Sequence, residues 1–467
     1  MVVFGTVTQA ASGLRLLQSI SPIGNASLSE TWLGTRNARR LWNVSAGVFL
    51  LFGSASLKIW RHFTSEYPNF WERLSTSTKY AFELQHVSAI AMHTTIMPFH
   101  NDVRPPFLDF FAGSGLVSHA LKPYFCEVWA NDICPKKAAI FAANQPGEPF
   151  QLCSIADIDG RELPASVLSW ASFPCQDLSL AGAGKGIRGK RSGLVWEWLR
   201  VMDEMPQRPP ILAAENVLGL VSSNNGIHYR ELHLALAERG YQIGAMLLDA
   251  VHWLPHSRPR IFVVAVDRRI SIPEKLLDAA PSWIHPASIR KIAVGLPHWI
   301  WWRLPAPEKS RAKLSEIIDY SIPCQDIQTS EKNLAMIPPV HKQLLNQCGL
   351  TAVPGYKRVR NKRQVLELRF DDVAGCLRTP SGGSSRQYLV IKVGGRWRTR
   401  ILSPREAARL MGAPETFQLP GTFNDGYKAM GDAVAAPVAA HLAKHLLSPL
   451  AEACYDLTCA NPDQISQ

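Results

Sequence analysis

The sequence predicts an α/β fold: a doubly wound, mostly parallel sheet with an irregular, smaller second domain. Three observations carry this reading. Apolar runs of strand length recur at 107–111, 127–130, 151–155, 167–172, 211–214, 243–248 and 260–266. Helix-like segments at 115–122, 135–144, 193–204 and 228–239 separate most of them, and such alternation implies a parallel sheet with helices on both faces. The link from Leu248 to Arg260 is too short for a crossover helix, so the last strand is expected to return antiparallel, as a hairpin beside the sixth.

Composition fits that architecture. The 467 residues, 46% hydrophobic and 19% charged, are typical of globular protein and suffice for two or three domains. The net charge of +12 and pI near 9.3 suit a polyanionic partner. From Arg268 to Arg400 there are 23 basic and 10 acidic residues, an excess as large as that of the whole chain. Phosphate neutralisation supplies much of the affinity for nucleic acid, so this segment reads as a nucleic-acid-contacting domain. It also loses the strand–helix rhythm and carries proline joints at Pro281, Pro286, Pro297, Pro305 and Pro307. Helical patterning resumes at 404–411 and 434–447.

The expected organisation is therefore an N-terminal extension over 1–103, a catalytic and cofactor-binding domain over 104–267, a recognition domain over 268–400, a return to the first domain over 401–449, and a tail over 450–467. Residues 1–103 show no steady period, and Met92 and Met97 are candidate native starts. The uncharged stretch 41–57 is short for a membrane span, which needs ~20 apolar residues, and contains Asn43, Ser45, Ser54 and Ser56. No membrane association is expected. Nine cysteines without a C-x-x-C pair give no zinc spacing and point to a reducing compartment.

The residues with chemical promise fall at the C-terminal ends of the expected strands, where open α/β sheets bind ligands. Phe107-Leu-Asp-Phe-Phe111-Ala-Gly113-Ser-Gly115 runs from a strand into a glycine turn that would let backbone approach a nucleotide-like ligand. Asp132 ends the second run, where its carboxylate could hold a ribose diol. Asp157 follows the third and could accept from an adenine amino group. Phe173-Pro174-Cys175-Gln176 closes the fourth run, and Glu215-Asn216-Val217 closes the fifth, forty residues beyond Cys175. A cysteine and an acid at neighbouring strand ends suit covalent attack on a ring that must also be protonated, as cytosine requires for addition at C6. The tripeptide recurs at Pro323-Cys324-Gln325, with neither a preceding strand nor a following Glu-Asn.

Those residues, in that order, resemble the DNA cytosine-5 methyltransferases of bacteria and phages, from Phe107 to about Leu447. The resemblance implies a Rossmann-like, S-adenosylmethionine-dependent fold. Cys175 would be the nucleophile and Glu215 the acid facing cytosine N3 and N4. Arg260 would bind the cytosine O2, and Arg258 would help position the cleft. S-adenosylmethionine would lie against Phe111, Gly113, Gly115, Asp132, Asp157 and Pro174, with Asp432 and Val434 of Gly431-Asp-Ala-Val434 folding back nearby. Ser179, Lys185, Arg188 and Arg191, on or at the root of the Gly-rich stretch 182–193, would close over double-stranded DNA once the base is flipped. Arg405-Glu406-Ala-Ala-Arg409-Leu-Met-Gly412-Ala-Pro414 matches a further family motif that shapes the recognition domain, and Thr379 with Gly382-Gly383 fits that domain's end.

The chain departs from the family pattern at His256 (usually Gln), at Trp253-Leu254 (usually Tyr-Gly) and at Asp432 (commonly Asn). The family further implies a cytoplasmic, nucleoid-associated monomer without metal, and makes a cognate restriction endonuclease a candidate partner. Two other readings use the same residues: an RNA cytosine-5 methyltransferase, whose Cys-Phe-Thr tripeptide is missing here, and a non-catalytic DNA-binding regulator, which would not need Cys175, Glu215 and Arg260 together.

Overall fold

The computed structural model describes residues 104–174, 193–308, 312–379 and 385–460, with side chains described to 455. The N-terminal extension, the stretch 41–57, Met92, Met97 and the 182–192 part of the Gly-rich stretch lie outside the described residues.

Seven strands form the large sheet: β1 Pro106–Phe110, β2 Cys126–Asp132, β3 Phe150–Leu152, β4 Leu168–Ala171, β5 Ile211–Val217, β6 Tyr241–Asp249 and β7 Pro259–Asp267. Their order is β3-β2-β1-β4-β5-β7-β6. The first five run parallel, and β7 is antiparallel to both β5 and β6. The expected hairpin therefore exists, with β7 inserted between β5 and β6. Alternate residues of each strand enter two separate cores. Phe107, Trp170, Ala213 and Phe262 lie on one face, and Leu108, Phe110, Ala171, Leu212 and Val263 on the other. Burial on both faces explains the unbroken apolar runs in the sequence.

Residues 268–318, the first part of the expected recognition domain, pack closely against the large sheet. Leu276, Ile284, Ile300, Trp302, Leu304 and Leu314 join the core of the large sheet, and Trp299 bridges to Ile243 on the outer side of β6. Gly244 makes this approach possible: a Cβ there would lie 2.5 Å from the Ile300 carbonyl and from Trp302 Nε1.

The smaller unit is more regular than its sequence suggests. Strands β8 Ala352–Arg360, β9 Arg363–Leu368, β10 Gln387–Val393 and β11 Arg396–Ile401 form an antiparallel sheet ordered β11-β10-β8-β9. Two-residue turns close its hairpins at Asn361-Lys362 and Gly394-Gly395, all four at positive φ as tight hairpins favour. Val353, Leu366, Tyr388 and Val390 build its own core with Ile337 and Leu345, from the helices Ile327–Ala335 and Pro339–Gln347 or the joint between them.

A buried ion pair joins the two units. Arg400 on β11 meets Glu406 on the helix Pro404–Leu410 through two contacts of 2.6 and 2.7 Å, with both residues almost fully inaccessible. Glu406 also accepts from the backbone N–H groups of Ser403 and Asp319, and Arg400 donates to the Asp319 carbonyl. Burial alone would raise the Glu406 pKa; Arg400 and these N–H donors outweigh it and hold the carboxyl below its usual value. Glu406 thus contributes stability that is fully present above the unfolded-state pKa and is lost as pH falls through the lower folded-state value. Glu406→Ala leaves Arg400 uncompensated in the interior and is expected to cost about 3–5 kcal/mol in urea unfolding at pH 7, with the deficit shrinking on acidification.

Candidate active site

The cleft begins at the β1 exit. Phe111, Gly113 and Gly115 have φ of 59°, 60° and 78°, so the chain turns sharply before the helix Leu116–Leu121. A Cβ on Gly115 would meet Phe141 Cδ2 at 2.8 Å, which makes glycine a packing requirement there. Two consecutive β2 residues organise this turn. Asn131 accepts from Phe111 N and donates through Nδ2 to the Cys153 carbonyl after β3, joining three strand ends with one amide. Asp132 accepts from Gly113 N at 3.1 Å and Cys134 N at 2.8 Å. Lys137, on the helix Pro135–Asn144, reaches Asp432 at 2.7 Å, and Thr379 also donates to Asp432. The structure thus brings Phe111, Gly113, Gly115, Asp132 and, through Lys137, Asp432 to one region. Val434 is buried in the core beyond it. Asp157 is exposed on the short turn Ile155–Asp157, after Ser154 has capped that turn.

Neither Asn131 nor Lys137 was singled out by sequence reasoning. Asn131 adjoins Asp132 at the end of a strand, and that position was the available signal.

At the β4 exit, Phe173 is buried and Pro174 half-buried. Cys175, Ser179, Lys185, Arg188 and Arg191 lie outside the described residues. The backbone leading to Cys175 is nevertheless anchored: Asn216 Nδ2 donates to the Phe173 carbonyl at 3.1 Å, and Asn216 Oδ1 accepts from Val217 N. The Asn of Glu-Asn-Val therefore holds the backbone at Phe173, two residues before Cys175 in sequence.

Glu215 precedes it, 7% exposed, with Oε1 2.9 Å from Arg260 Nε. The antiparallel β5–β7 register pairs Val217 with Arg260 and Glu215 with Phe262, so the end of one strand faces the start of the next. Burial raises the Glu215 pKa above the usual glutamate value, against the pull of Arg260 and Arg258. A raised value is what a group that must supply a proton near neutrality requires.

Arg258 is a clamp rather than a cleft-facing side chain. It is 2% exposed and donates to the carbonyls of Leu377, Gly431 and Ala433 at 3.0, 2.9 and 2.6 Å, while its own N–H donates to Asp249. It thereby attaches the segment after β9 and the turn at 431–433 to the start of β7. His256 supports the same junction, donating from Nδ1 to the Leu410 carbonyl and accepting at Nε2 from Leu377 N. These partners make it a neutral imidazole with Nδ1 protonated, and burial, with Arg258 adding, holds its pKa well below the usual value. The departure from Gln at this position thus preserves one donor and one acceptor.

Residues 106–448 match the family described as C-5 cytosine-specific DNA methylase, and the chain belongs to that family. Two relatives span most of it. Type II methyltransferase M.Bsp6I of Bacillus sp. (strain RFL6) is 24% identical over 343 residues, covering 72% of this chain and 96% of the relative. Type II methyltransferase M.HhaI of Haemophilus parahaemolyticus is 23% identical over 350 residues, covering 74% and 94%. The crystal structure of S. pombe Dnmt2 methyltransferase aligns at 18% identity with a TM-score of 0.48, over 75% of this chain and 98% of that one. Among the described residues no group of His, Cys, Asp and Glu forms a metal site, and no helix is long and apolar enough to cross a membrane.

Arg258→Ala removes the guanidinium donors from three buried carbonyls and is expected to destabilise the protein by roughly 3 kcal/mol or more. Arg258→Lys should recover little of it, because one ammonium cannot reproduce the guanidinium fork. Chemical denaturation of both variants checks this.

Proposed function

We propose that this enzyme methylates C5 of a cytosine flipped out of double-stranded DNA at a specific sequence, with S-adenosylmethionine as donor and Cys175 as nucleophile. The observation that carries the reading is the buried Glu215–Arg260 pair, held at 2.9 Å beside the Asn216-anchored approach to Cys175. An acid with a raised pKa and a guanidinium at one strand-end junction match a ring with N3 and O2 on one edge.

The residues at the β1 and β2 exits fit the donor. The left-handed turn over Gly113–Gly115 brings backbone to the strand end, Asp132 presents a carboxylate at the neighbouring strand end, and Asn131 and Lys137 hold the surrounding backbone and charge. S-adenosylmethionine supplies an electrophilic methyl group when bound. Asp132 would hold its ribose hydroxyls, while Phe111 and Pro174 would flank the site. Asp157 is the proposed adenine partner. Asp432, paired with Lys137, borders the same region.

The Cys175 thiolate forms a bond to C6 as Glu215 protonates N3, so electron density develops at C5. Arg260 holds O2 and, through Nε, keeps Glu215 aimed. After C5 is methylated, loss of the C5 proton to a base expels the Cys175 thiolate, N3 returns its proton to Glu215, and the ring is restored. Flipping costs a few kcal/mol of unstacking. Ser179, Lys185, Arg188 and Arg191 are proposed to offset this by closing on the DNA, with the four-stranded sheet and its basic hairpins reading the sequence. The proposed setting is cytoplasmic, as a monomer on chromosomal or plasmid DNA. The Type II methyltransferase names of the relatives support pairing with a restriction endonuclease.

A base-resolution map of 5-methylcytosine in a host free of that mark tests the reading. Wild type is expected to mark one short motif and Cys175→Ala none. An unmarked genome with folded wild-type protein would overturn DNA as substrate. In single-turnover assays Glu215→Gln should slow methylation by roughly 10²–10⁴-fold, the usual span for a positioned acid.

Asp132→Ala should weaken S-adenosylmethionine binding in calorimetry and also loosen the Gly113 turn. An unchanged affinity would remove Asp132 from the site.

A further inference from the structure

Cys376 is a thiol beside the reaction centre that the scheme above leaves unused. It lies between β9 and β10, half-buried, with its sulfur 3.8 Å from Arg258 Nη1 and 3.9 Å from Arg260 Nη1. Arg260 Nε at the same time holds Glu215 Oε1 at 2.9 Å, so Cys376 and Glu215 share one guanidinium. The sulfur has a second partner in the Leu377 carbonyl, 3.5 Å away. As a thiol it can donate to that carbonyl; as a thiolate it can only accept, and both arginines offer N–H groups. Tyr356 fixes the segment by donating to the Cys376 carbonyl at 2.7 Å.

We propose that Cys376 is a positioning residue for Arg260 and Glu215: its thiolate takes up part of the positive field that would otherwise draw the proton off Glu215. Burial would push this thiol up, but Arg258 and Arg260, with Arg378 adding, outweigh it and bring the pKa below that of an ordinary cysteine. The remaining groups around the cluster do not supply the same charge. His256 is neutral, Asp249 accepts from the Arg258 backbone N–H, and Asp432 is held by Lys137. The proposal rests on Glu215 being the acid of the reaction.

Single-turnover rate–pH profiles of wild type, Cys376→Ser and Cys376→Asp test it. The high-pH limb, where Glu215 loses its proton, is expected to move to lower pH in Cys376→Ser. Cys376→Asp, which restores the negative charge, should return it toward the wild-type position. Superimposable wild-type and Ser profiles, or an Asp profile matching Ser, would overturn the proposal. A purely structural role would change rate without moving the limb. A second readout does not depend on activity: iodoacetamide labelling of the Cys376 peptide against pH, in full-length Cys175→Ala. Its midpoint should lie below that of an ordinary thiol and rise when Arg260→Gln is added. An ordinary midpoint, or one indifferent to Arg260, would refute the thiolate whether or not Glu215 is the acid.

Discussion

The site depends on one buried guanidinium. Arg258 lies at the start of β7, and its three carbonyl partners belong to segments more than a hundred residues further along the chain. A charged group in such a place is tolerated only when its donors find acceptors, and the backbone at 377, 431 and 433 supplies them. This constraint also explains why the cleft can be assembled from distant sequence. Glu215 and Arg260 come from adjacent strands, Cys376 from the joint between two hairpins, and Asp432 from the end of a late helix. Each is placed relative to Arg258 or to a residue that touches it.

The two halves of the cleft use different devices. At the β1 and β2 exits, where the donor is proposed to lie, left-handed backbone is tied in place by two β2 side chains. On the base side, an acid is buried against arginines, so its proton affinity reflects competition between desolvation and charge. The division follows the sheet. Parallel strands present their C-terminal ends together, which suits a ligand held by turns. The inverted β7 alone brings the start of a strand to that edge, and Arg260 is the residue it delivers.

Much of the large sheet was legible in the sequence because its strands are buried on both faces and appear as continuous apolar runs between helical segments. The last strand's direction followed from the length of its connection. The position of β7 inside the sheet did not, since strand order depends on packing that local pattern does not encode. Similarly, 268–318 read as part of an irregular domain because its proline-jointed chain packs by single large side chains, such as Trp299 and Trp302, rather than by a period. The antiparallel sheet of the smaller unit was hidden by strands rich in Lys and Arg on the exposed face, where alternation of apolar residues is weak. At the candidate site, residue types in the sequence pointed to Glu215, Arg260 and Asp132. Asn131, Lys137 and Cys376 act through partners remote in sequence, and no local signal marks such partnerships. Arg258 was legible as a residue of the cleft but not as its internal strut.

Glu406 has one more consequence. It receives Asp319 N–H at one end of the smaller unit and Arg400 at the other, so the chain departs from and rejoins the large domain at a single knot. The eighty-odd residues between are a loop whose ends are already pinned. Closure entropy grows only slowly with loop length, so this arrangement is well suited to module exchange. A differently folded cassette, longer or shorter, could be grafted between Asp319 and Arg400 provided that the 374–377 stretch, which Arg258 and His256 hold against the large sheet, is kept.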